Sequence, residues 1–315
     1  VEDVEAEHSR HELVEDGEVD LAGISHVIGG VSVAGLDHLV AVGFEMPPEE
    51  QPHGGRVVGD EDACHLWAVC HHFSVLSRLP PHEQRRLAAL GRSDLDALAR
   101  RRLDGEPLQY IEGSAAFTDF DVLVDSRVLV PRPETEGLFE LAASAMAAPR
   151  VVVDLGTGSG VLAIALARRF PEAEVHALDV SRDALEVARL NAERLEVEVT
   201  FHRGDMFEAL PARLAGSVDL LVSNPPYVAA YEWDELPEDV KREPRGALVA
   251  GPEGTEALAA IAAGADRWLA SGAVVACEIG ERQSAVLVPM FSRLGTVEVH
   301  RDLAGRDRYL IVRKP

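Results

Sequence analysis

From residue 150 onward, short apolar segments alternate with longer segments of helical periodicity, and no other feature limits the possible folds as strongly. Such alternation is typical of a parallel sheet that carries helices on its faces. The last two apolar segments are separated only by a turn at Gly305, so we predict that they form an antiparallel pair. Open α/β sheets bind ligands at the carboxyl ends of their strands. The predicted strands are residues 151–155, 175–179, 197–201, 218–222, 273–279, 297–300 and 309–312, and the predicted helices are 158–170, 181–195, 253–270 and 283–294.

The fourth strand of this series leads directly into Ser223-Asn224-Pro225-Pro226-Tyr227. Proline fixes φ and has no N–H, and the residue before it is held extended, so the two prolines predict a stiff turn. Such a turn holds the Asn224 side-chain oxygen and a neighbouring carbonyl as paired acceptors for a substrate –NH2 group, while Tyr227 covers a planar group. We therefore predict that Asn224, Pro225 and Tyr227 are catalytic, and that these three and Pro226 bind the substrate.

The first strand leads into Asp154-Leu155-Gly156-Thr157-Gly158-Ser159-Gly160, in which three glycines stand at every second position. Glycine lets the backbone turn tightly and approach a ligand closely. The third glycine comes one residue earlier than in the G-x-G-x-x-G fingerprint of dinucleotide sites, so the loop predicts a nucleotide-like ligand without the usual placement of a pyrophosphate. The Asp154 carboxylate either contacts a ligand amine or braces the loop.

Two further carboxylates follow the next two strands. Asp179 is placed to accept hydrogen bonds from both hydroxyls of a ribose, or merely to cap the following helix. Asp205 is placed to accept from an adenine amine, or to serve as a turn residue, while Met206 or Phe207 packs on the ring. A ligand with ribose, adenine and an amino-acid end is S-adenosylmethionine, whose product is S-adenosylhomocysteine. The residues predicted to bind it are Asp154, Gly156, Thr157, Gly158, Ser159, Gly160, Asp179, Asp205, Met206 and Asn224.

The segment Val130-Pro131-Arg132-Pro133-Glu134-Thr135-Glu136 predicts a helix start, because proline suits the first helical turn and carboxylates suit its dipole. The helix is predicted to continue through Met146. A rigid, charged turn of this kind would lie near the carboxyl edge of the sheet. We therefore assign Arg132 and Glu134 to the substrate site as a prediction.

Residues 105–313 resemble the class I S-adenosylmethionine-dependent methyltransferases, and more narrowly the HemK/PrmC group. The resemblance implies a Rossmann-like mixed sheet of seven strands in the order 3-2-1-4-5-7-6, with strand seven antiparallel. It also implies methyl transfer to the side-chain nitrogen (N5) of the glutamine in the Gly-Gly-Gln motif of peptide chain release factors. The segments that carry the resemblance are Gly105-Glu-Pro-Leu-Gln-Tyr110, Val130-Pro-Arg-Pro-Glu-Thr-Glu136, Asp154-Leu-Gly-Thr-Gly-Ser-Gly160, Asn224-Pro-Pro-Tyr227, Glu243-Pro244 with Ala247-Leu248, and Glu278-Ile-Gly280.

Three alternatives to this function remain open. An N5-glutamine methyltransferase of a ribosomal protein would lack the Pro-Arg-Pro-Glu-Thr-Glu form found at 131–136. An adenine-N6 methyltransferase would use the same tetrapeptide but needs a basic groove or a base-flipping domain, whereas residues 73–315 carry a net charge of −10. A scaffold that binds the cofactor without chemistry would not need an intact Asn-Pro-Pro-Tyr. We therefore predict a release factor as partner and no direct contact with nucleic acid.

The N-terminal part departs from the family, which carries a helical bundle there. Residues 1–72 hold a net charge of −14 and eight of the twelve histidines, and they predict an acidic, His-rich extension in place of amphipathic helices. Cys64-His65 and Cys70-His71-His72 match no standard ligand spacing, so no metal site is predicted. Residues 73–104 predict a small helical element, with one helix opening at Pro81 and another capped by Ser93, and residues 105–315 the methyltransferase domain.

Three cysteines, an acidic N-terminus and the lack of a long apolar stretch predict a cytoplasmic protein with no membrane segment. We also expect a monomer. Between the helical element and the sheet, residues 105–110 predict a connection, and 117–124 with 127–130 predict a β-hairpin that turns at Asp125-Ser126.

Overall fold

The computed structural model describes residues 75–315. The predictions made for residues 1–72, including the acidic extension and its Cys/His segment, lie outside the described residues. None of the helices within 75–315 combines the length and apolar composition that crossing a membrane requires. In this range no three His, Cys, Asp or Glu side chains are grouped so as to hold a metal ion.

Three short helices precede the sheet: α1 (Pro81–Ala89), α2 (Leu95–Leu103) and α3 (Leu108–Glu112). They share a small apolar core of their own, in which Leu87 and Leu98 are almost completely buried. Two predictions here were wrong. The residue before α2 is Asp94, one position later than the predicted cap, and part of the predicted connection at 105–110 begins α3, because Pro107 supplies a fixed φ at a helix start.

The predicted boundary between a helical element and a catalytic domain stays a prediction, although polar contacts cross it. Arg102 Nη2 lies 3.5 Å from Asp239 Oδ2, and Arg242 Nη2 donates to the Asp104 carbonyl at 2.9 Å. Residues 75–104 therefore pack directly on the segment that follows the Asn-Pro-Pro-Tyr turn.

The predicted hairpin of residues 117–124 with 127–130 was wrong, because the hairpin that forms lies earlier in the chain. Strands β1 (Ser114–Phe117) and β2 (Phe120–Leu123) pair antiparallel, with Phe117 opposite Phe120. The turn therefore falls at Thr118-Asp119, and residues 127–130 form no strand. Thr118 adopts φ +50°, a conformation that a β-branched residue rarely takes, so its sequence carries little turn signal. The Thr118 N–H is held by the Glu136 carboxylate at 3.1 Å.

The main sheet confirms the predicted seven-stranded topology. The remaining elements are α4 Pro133–Ala145, β3 Val151–Leu155, α5 Val161–Arg169, β4 Glu174–Asp179, α6 Arg182–Arg194, β5 Thr200–Arg203, β6 Val218–Ser223, β7 Val228–Ala229, α7 Arg245–Leu248, β8 Val249–Gly251, α8 Glu256–Gly264, β9 Leu269–Glu278, α9 Ser284–Phe291, β10 Thr296–Arg301 and β11 Asp307–Arg313. In chain order the strands of the main sheet are β3, β4, β5, β6, β9, β10 and β11, and their spatial order from one edge is β5-β4-β3-β6-β9-β11-β10, which is 3-2-1-4-5-7-6. Strand β11 alone runs opposite to the other six.

Successive strand residues enter two different cores, one on each face of the sheet. Val152 belongs to the core formed with α4, α5 and α6, and Val153 belongs to the core formed with α8 and α9. Burial of each such side chain contributes roughly 1.5–3 kcal/mol. The central strands are therefore held from both sides, and their carboxyl ends provide a rigid edge on which polar groups can be positioned.

Candidate active site

A cavity of about 620 Å³ opens at the carboxyl ends of the central strands. Its volume lies in the range typical of small-molecule sites. The predicted residues that line it are Gly156, Gly158, Asp179, Asp205, Met206, Asn224, Pro225 and Pro226. Predicted residues that do not line it are Asp154, Thr157, Ser159, Gly160, Tyr227, Arg132 and Glu134.

The glycine loop presents bare backbone to this cavity. Gly156 and Gly158 have φ values of +71° and +53°, and a Cβ added at either would meet nothing within 4 Å. The loop is held down from behind, because the N–H groups of Gly156 and Thr157 both donate to the Leu178 carbonyl at 2.9 Å. A ligand can therefore approach the main chain closely here without displacing it.

Asp154 lies behind the loop and is completely buried. Its Oδ2 accepts from Thr157 Oγ1 at 2.6 Å and from the Ala163 N–H at 3.2 Å. Within residues 75–315, its Oδ1 has no hydrogen-bond partner. Burial raises the pKa of the Asp154 carboxyl to about 7, although these two hydrogen bonds oppose the shift. Asp154 thus braces the loop and keeps one buried oxygen unused.

Asp179 lines the cavity at the end of β4. Its Oδ2 accepts from the Gly158 N–H at 2.9 Å, and its Oδ1 accepts from the Ser181 N–H at 2.8 Å. Ser181 itself caps α6, as predicted, since its hydroxyl accepts from the Ala184 N–H. Burial raises the pKa of Asp179 above its usual value. Because a carboxylate has about four acceptor positions, both oxygens keep capacity for a ligand's hydroxyl groups.

Asn224 follows β6 and is held by a network of hydrogen bonds. Its Nδ2 donates to Thr135 Oγ1 at 3.0 Å, and the Thr135 hydroxyl donates to Glu278 Oε2 at 3.1 Å. The Tyr227 hydroxyl donates to the other oxygen, Glu278 Oε1, at 3.1 Å. The start of α4, the turn after β6 and the end of β9 thereby meet at one point. The side-chain oxygen of Asn224 accepts no hydrogen bond from the residues described here.

The roles of Thr135 and Glu278 were missed from the sequence, although both stand in segments noted there. Glu278 ends a long apolar strand and is only 1% exposed. Burial raises the pKa of its carboxyl to about 7, and the nearby Arg308 guanidinium opposes that rise. The sequence signal that could have identified the role of Glu278 is a carboxylate at the end of an apolar strand, because a buried charge needs polar partners.

Tyr227 does not line the main cavity. It borders a second cavity of about 300 Å³ together with Glu232, Gln283 and Arg308. The Gln283 amide donates to the Tyr227 carbonyl at 2.9 Å and so ties the turn to the start of α9. The predicted packing of the Tyr227 ring on a substrate group stays a prediction.

Arg132 and Glu134 are engaged in ion pairs. Arg132 Nη2 donates to Glu243 Oε1, and the Val130 N–H donates to Glu243 Oε2 at 2.9 Å. Glu134 pairs with Arg306 at 3.4 Å. The buried Glu243 therefore fastens the segment before α4 to the segment that leads into α7. The predicted contact of Arg132 and Glu134 with substrate stays a prediction.

Comparison with known proteins places these features in a family. A family described as the methyltransferase small domain matches residues 137–243. A release factor glutamine methyltransferase of Bordetella pertussis is 45% identical over 216 residues, which is 67% of this chain and 79% of that protein. One from Chlorobaculum tepidum is 44% identical over 226 residues, 68% of this chain and 76% of that protein.

Among solved structures, the chain is similar to a release-factor-specific protein-(glutamine-N5) methyltransferase of Alicyclobacillus acidocaldarius. The two are 29% identical, with a TM-score of 0.37, over 59% of this chain and 94% of that chain. Because this TM-score is low, the family of the chain is decided by its sequence relatives. On their identity and coverage, the chain belongs to the release factor glutamine methyltransferase family.

Proposed function

We propose that this protein transfers a methyl group from S-adenosylmethionine to the side-chain amide nitrogen of the Gly-Gly-Gln glutamine in a peptide chain release factor. The observation that carries the proposal is the orientation of Asn224, whose Nδ2 is bound to Thr135 while its oxygen is left for a substrate –NH2 group. The names of the curated relatives support the choice of substrate.

The residues around the cavity suit the cofactor. The bare backbone at Gly156 and Gly158 permits close approach, and Asp179 retains acceptor capacity for ribose hydroxyls. The predicted contact of Asp154 with the cofactor stays a prediction, because its carboxylate is buried behind the loop and does not line the cavity. Bound S-adenosylmethionine supplies an electrophilic methyl group on a sulfonium centre.

An amide nitrogen is a poor nucleophile, because its lone pair is delocalised into the carbonyl. Two acceptors, Asn224 Oδ1 and the Pro225 carbonyl, would each take one amide hydrogen and so fix the direction of the nitrogen. Orientation of this kind supplies up to about 7–11 kcal/mol in favourable cases. The same acceptors stabilise the positive charge that develops on the nitrogen during transfer.

The test is an incubation with methyl-labelled S-adenosylmethionine in which a release factor, a ribosomal protein and duplex DNA are compared as substrates. We expect label on the release-factor glutamine alone.

Asn224→Ala should lower turnover by roughly 100-fold or more, since one such acceptor is lost, while calorimetry shows cofactor binding preserved. Label on adenine, or an Asn224→Ala variant with near-normal turnover, would contradict the assignment. The cytoplasmic location and the monomeric state stay predictions.

A further inference from the structure

The hydrogen-bond network behind Asn224 has a defined polarity. An ionised carboxylate only accepts hydrogen bonds, whereas a threonine hydroxyl has a single hydrogen to donate. Glu278 Oε2 lies 3.1 Å from Thr135 Oγ1, and Glu278 is buried, so the Thr135 hydrogen is used on Glu278. The hydroxyl can then only accept from Asn224. The atom of Asn224 that faces Thr135 must be the –NH2 group, and the oxygen must face the other way.

We propose that Glu278 is a positioning residue that acts through the Thr135 hydroxyl to set which end of the Asn224 amide meets the substrate. The inference rests on the proposed function, in which Asn224 accepts from a substrate –NH2 group. If the amide were rotated by half a turn, two –NH2 groups would face each other and one acceptor would be lost. The Tyr227 hydroxyl donates to Glu278 Oε1 and occupies the second carboxylate oxygen.

The hydrogen-bonded series Glu278–Thr135–Asn224 is called the relay below. It depends on the negative charge of Glu278, so its effect on turnover should change with pH. Burial raises the pKa of Glu278 to about 7. The charged groups that face it are Arg308 on β11, which lowers its pKa, and Glu134 on α4, which raises it. The other titratable neighbours are Tyr227 and the cross-strand partner Tyr309. Once protonated, Glu278 can donate to Thr135, and the direction of the hydrogen bonds in the relay is no longer fixed. Turnover should therefore fall as the pH drops through about 7.

Three variants test the relay in the enzyme assay, with each substrate varied in turn while the other is saturating. Thr135→Val removes the hydroxyl at nearly constant volume and should lower kcat roughly 10- to 100-fold, with little change in the KM for the cofactor. Thr135→Ser restores the hydroxyl and should recover kcat to within a few-fold. In Glu278→Gln the side-chain amide can donate as well as accept at every pH. This variant should therefore lower kcat and remove the acidic limb of the pH profile, which is the fall in kcat below about pH 7.

A matched control is Ser284→Ala, which removes a hydroxyl that donates to Asp307 at 2.8 Å, in a hydrogen bond that involves none of Thr135, Asn224 and Glu278. It should leave kcat unchanged. Thermal unfolding of each variant separates loss of fold from loss of orientation. A Thr135→Val enzyme that is folded and within twofold of the wild-type kcat would overturn the proposal. So would an acidic limb that persists when Glu278→Gln is combined with Asp154→Asn, which removes the other buried carboxyl with a pKa of about 7.

A second measurement needs no turnover. The chain contains only two asparagines, Asn191 and Asn224, so labelling with ¹⁵N-asparagine gives two side-chain –NH2 signals by NMR. The Asn191 amide is buried and donates to two carbonyls, those of Leu123 and Ser159, so it serves as an internal reference.

We expect the Asn224 signals to shift with a midpoint near pH 7, the Asn191 signals to stay constant, and Thr135→Val to abolish the shift. Asn224 signals that do not move between pH 5.5 and 8.5 would refute the relay. This outcome is distinct from a failure of the proposed function, in which the NMR shift is present but no release factor is methylated.

Discussion

At the scale of single residues, the buried Asp154 carboxyl makes the stability of the folded protein depend on pH. Its carboxyl has an ordinary pKa of 3.8, and burial raises this value to about 7 in the folded protein. The protonated form is therefore the one that the fold favours. The stabilisation that it contributes is complete below pH 3.8 and is lost as the pH rises through about 7.

Asp154→Asn should remove this pH dependence. The asparagine oxygen can still accept from Thr157 and Ala163, while the carboxylate charge is absent. Between pH 5 and pH 8 we expect the free energy of unfolding of the wild type, relative to the variant, to fall by roughly 3 kcal/mol, at 1.36 kcal/mol per pKa unit. Urea unfolding of the cofactor-free proteins at the two pH values measures it. A difference that stays constant with pH would show that Asp154 is already ionised in the fold at pH 5.

At the scale of elements, periodicity predicted the sheet well and the irregular connections poorly. The strands read as apolar runs because both of their faces are buried, so β3, β4, β6 and β9 were found within a few residues. The hairpin turn was misplaced because Thr118 is held at φ +50° by its surroundings, with the Glu136 carboxylate on its N–H, and its own residue type opposes that conformation. Tertiary contacts of this kind leave no local pattern.

The packing of the glycine loop on α6 offers a prediction at the same scale. Gly160 has φ +84°, and a Cβ there would lie 3.0 Å from the Ala188 Cβ and 3.2 Å from its Cα. Gly160→Ala should therefore combine the cost of a left-handed backbone, about 1–2 kcal/mol, with an overpacking cost of about 1–3 kcal/mol. Gly216→Ala is the matched control, because Gly216 has φ +70° but nothing within 4 Å of an added Cβ.

The two glycine variants should differ by the overpacking cost alone. Their free energies of unfolding in urea give this difference directly. Equal losses at Gly160 and Gly216 would mean that Ala188 moves aside and that the close approach of α6 is not needed to hold the loop.

At the scale of the whole molecule, the site depends on residues that are far apart in the chain. Asn224 is 89 residues from Thr135, and Glu278 is 143 residues from Thr135. Sequence motifs identified the segments that contain them, and the strand order brought β6 and β9 together as neighbours. The direction of each hydrogen bond depends on side-chain burial and rotamers, which only the assembled fold determines.

Cofactor binding should be visible in the stability of the whole chain, since a ligand that binds only the folded state stabilises it by mass action. At 100 times its dissociation constant, S-adenosylhomocysteine should add about 2.7 kcal/mol, which corresponds to a rise in Tm of roughly 5–10 °C for a domain of this size. Asp179→Ala removes the acceptor that lines the cavity at the end of β4 and should lose most of this rise at the same ligand concentration. Asp183→Ala, an exposed carboxylate in the first turn of α6 that does not line the cavity, should keep it. An equal rise in Tm for both variants would show that Asp179 does not hold the ligand and would place the ribose elsewhere in the cavity.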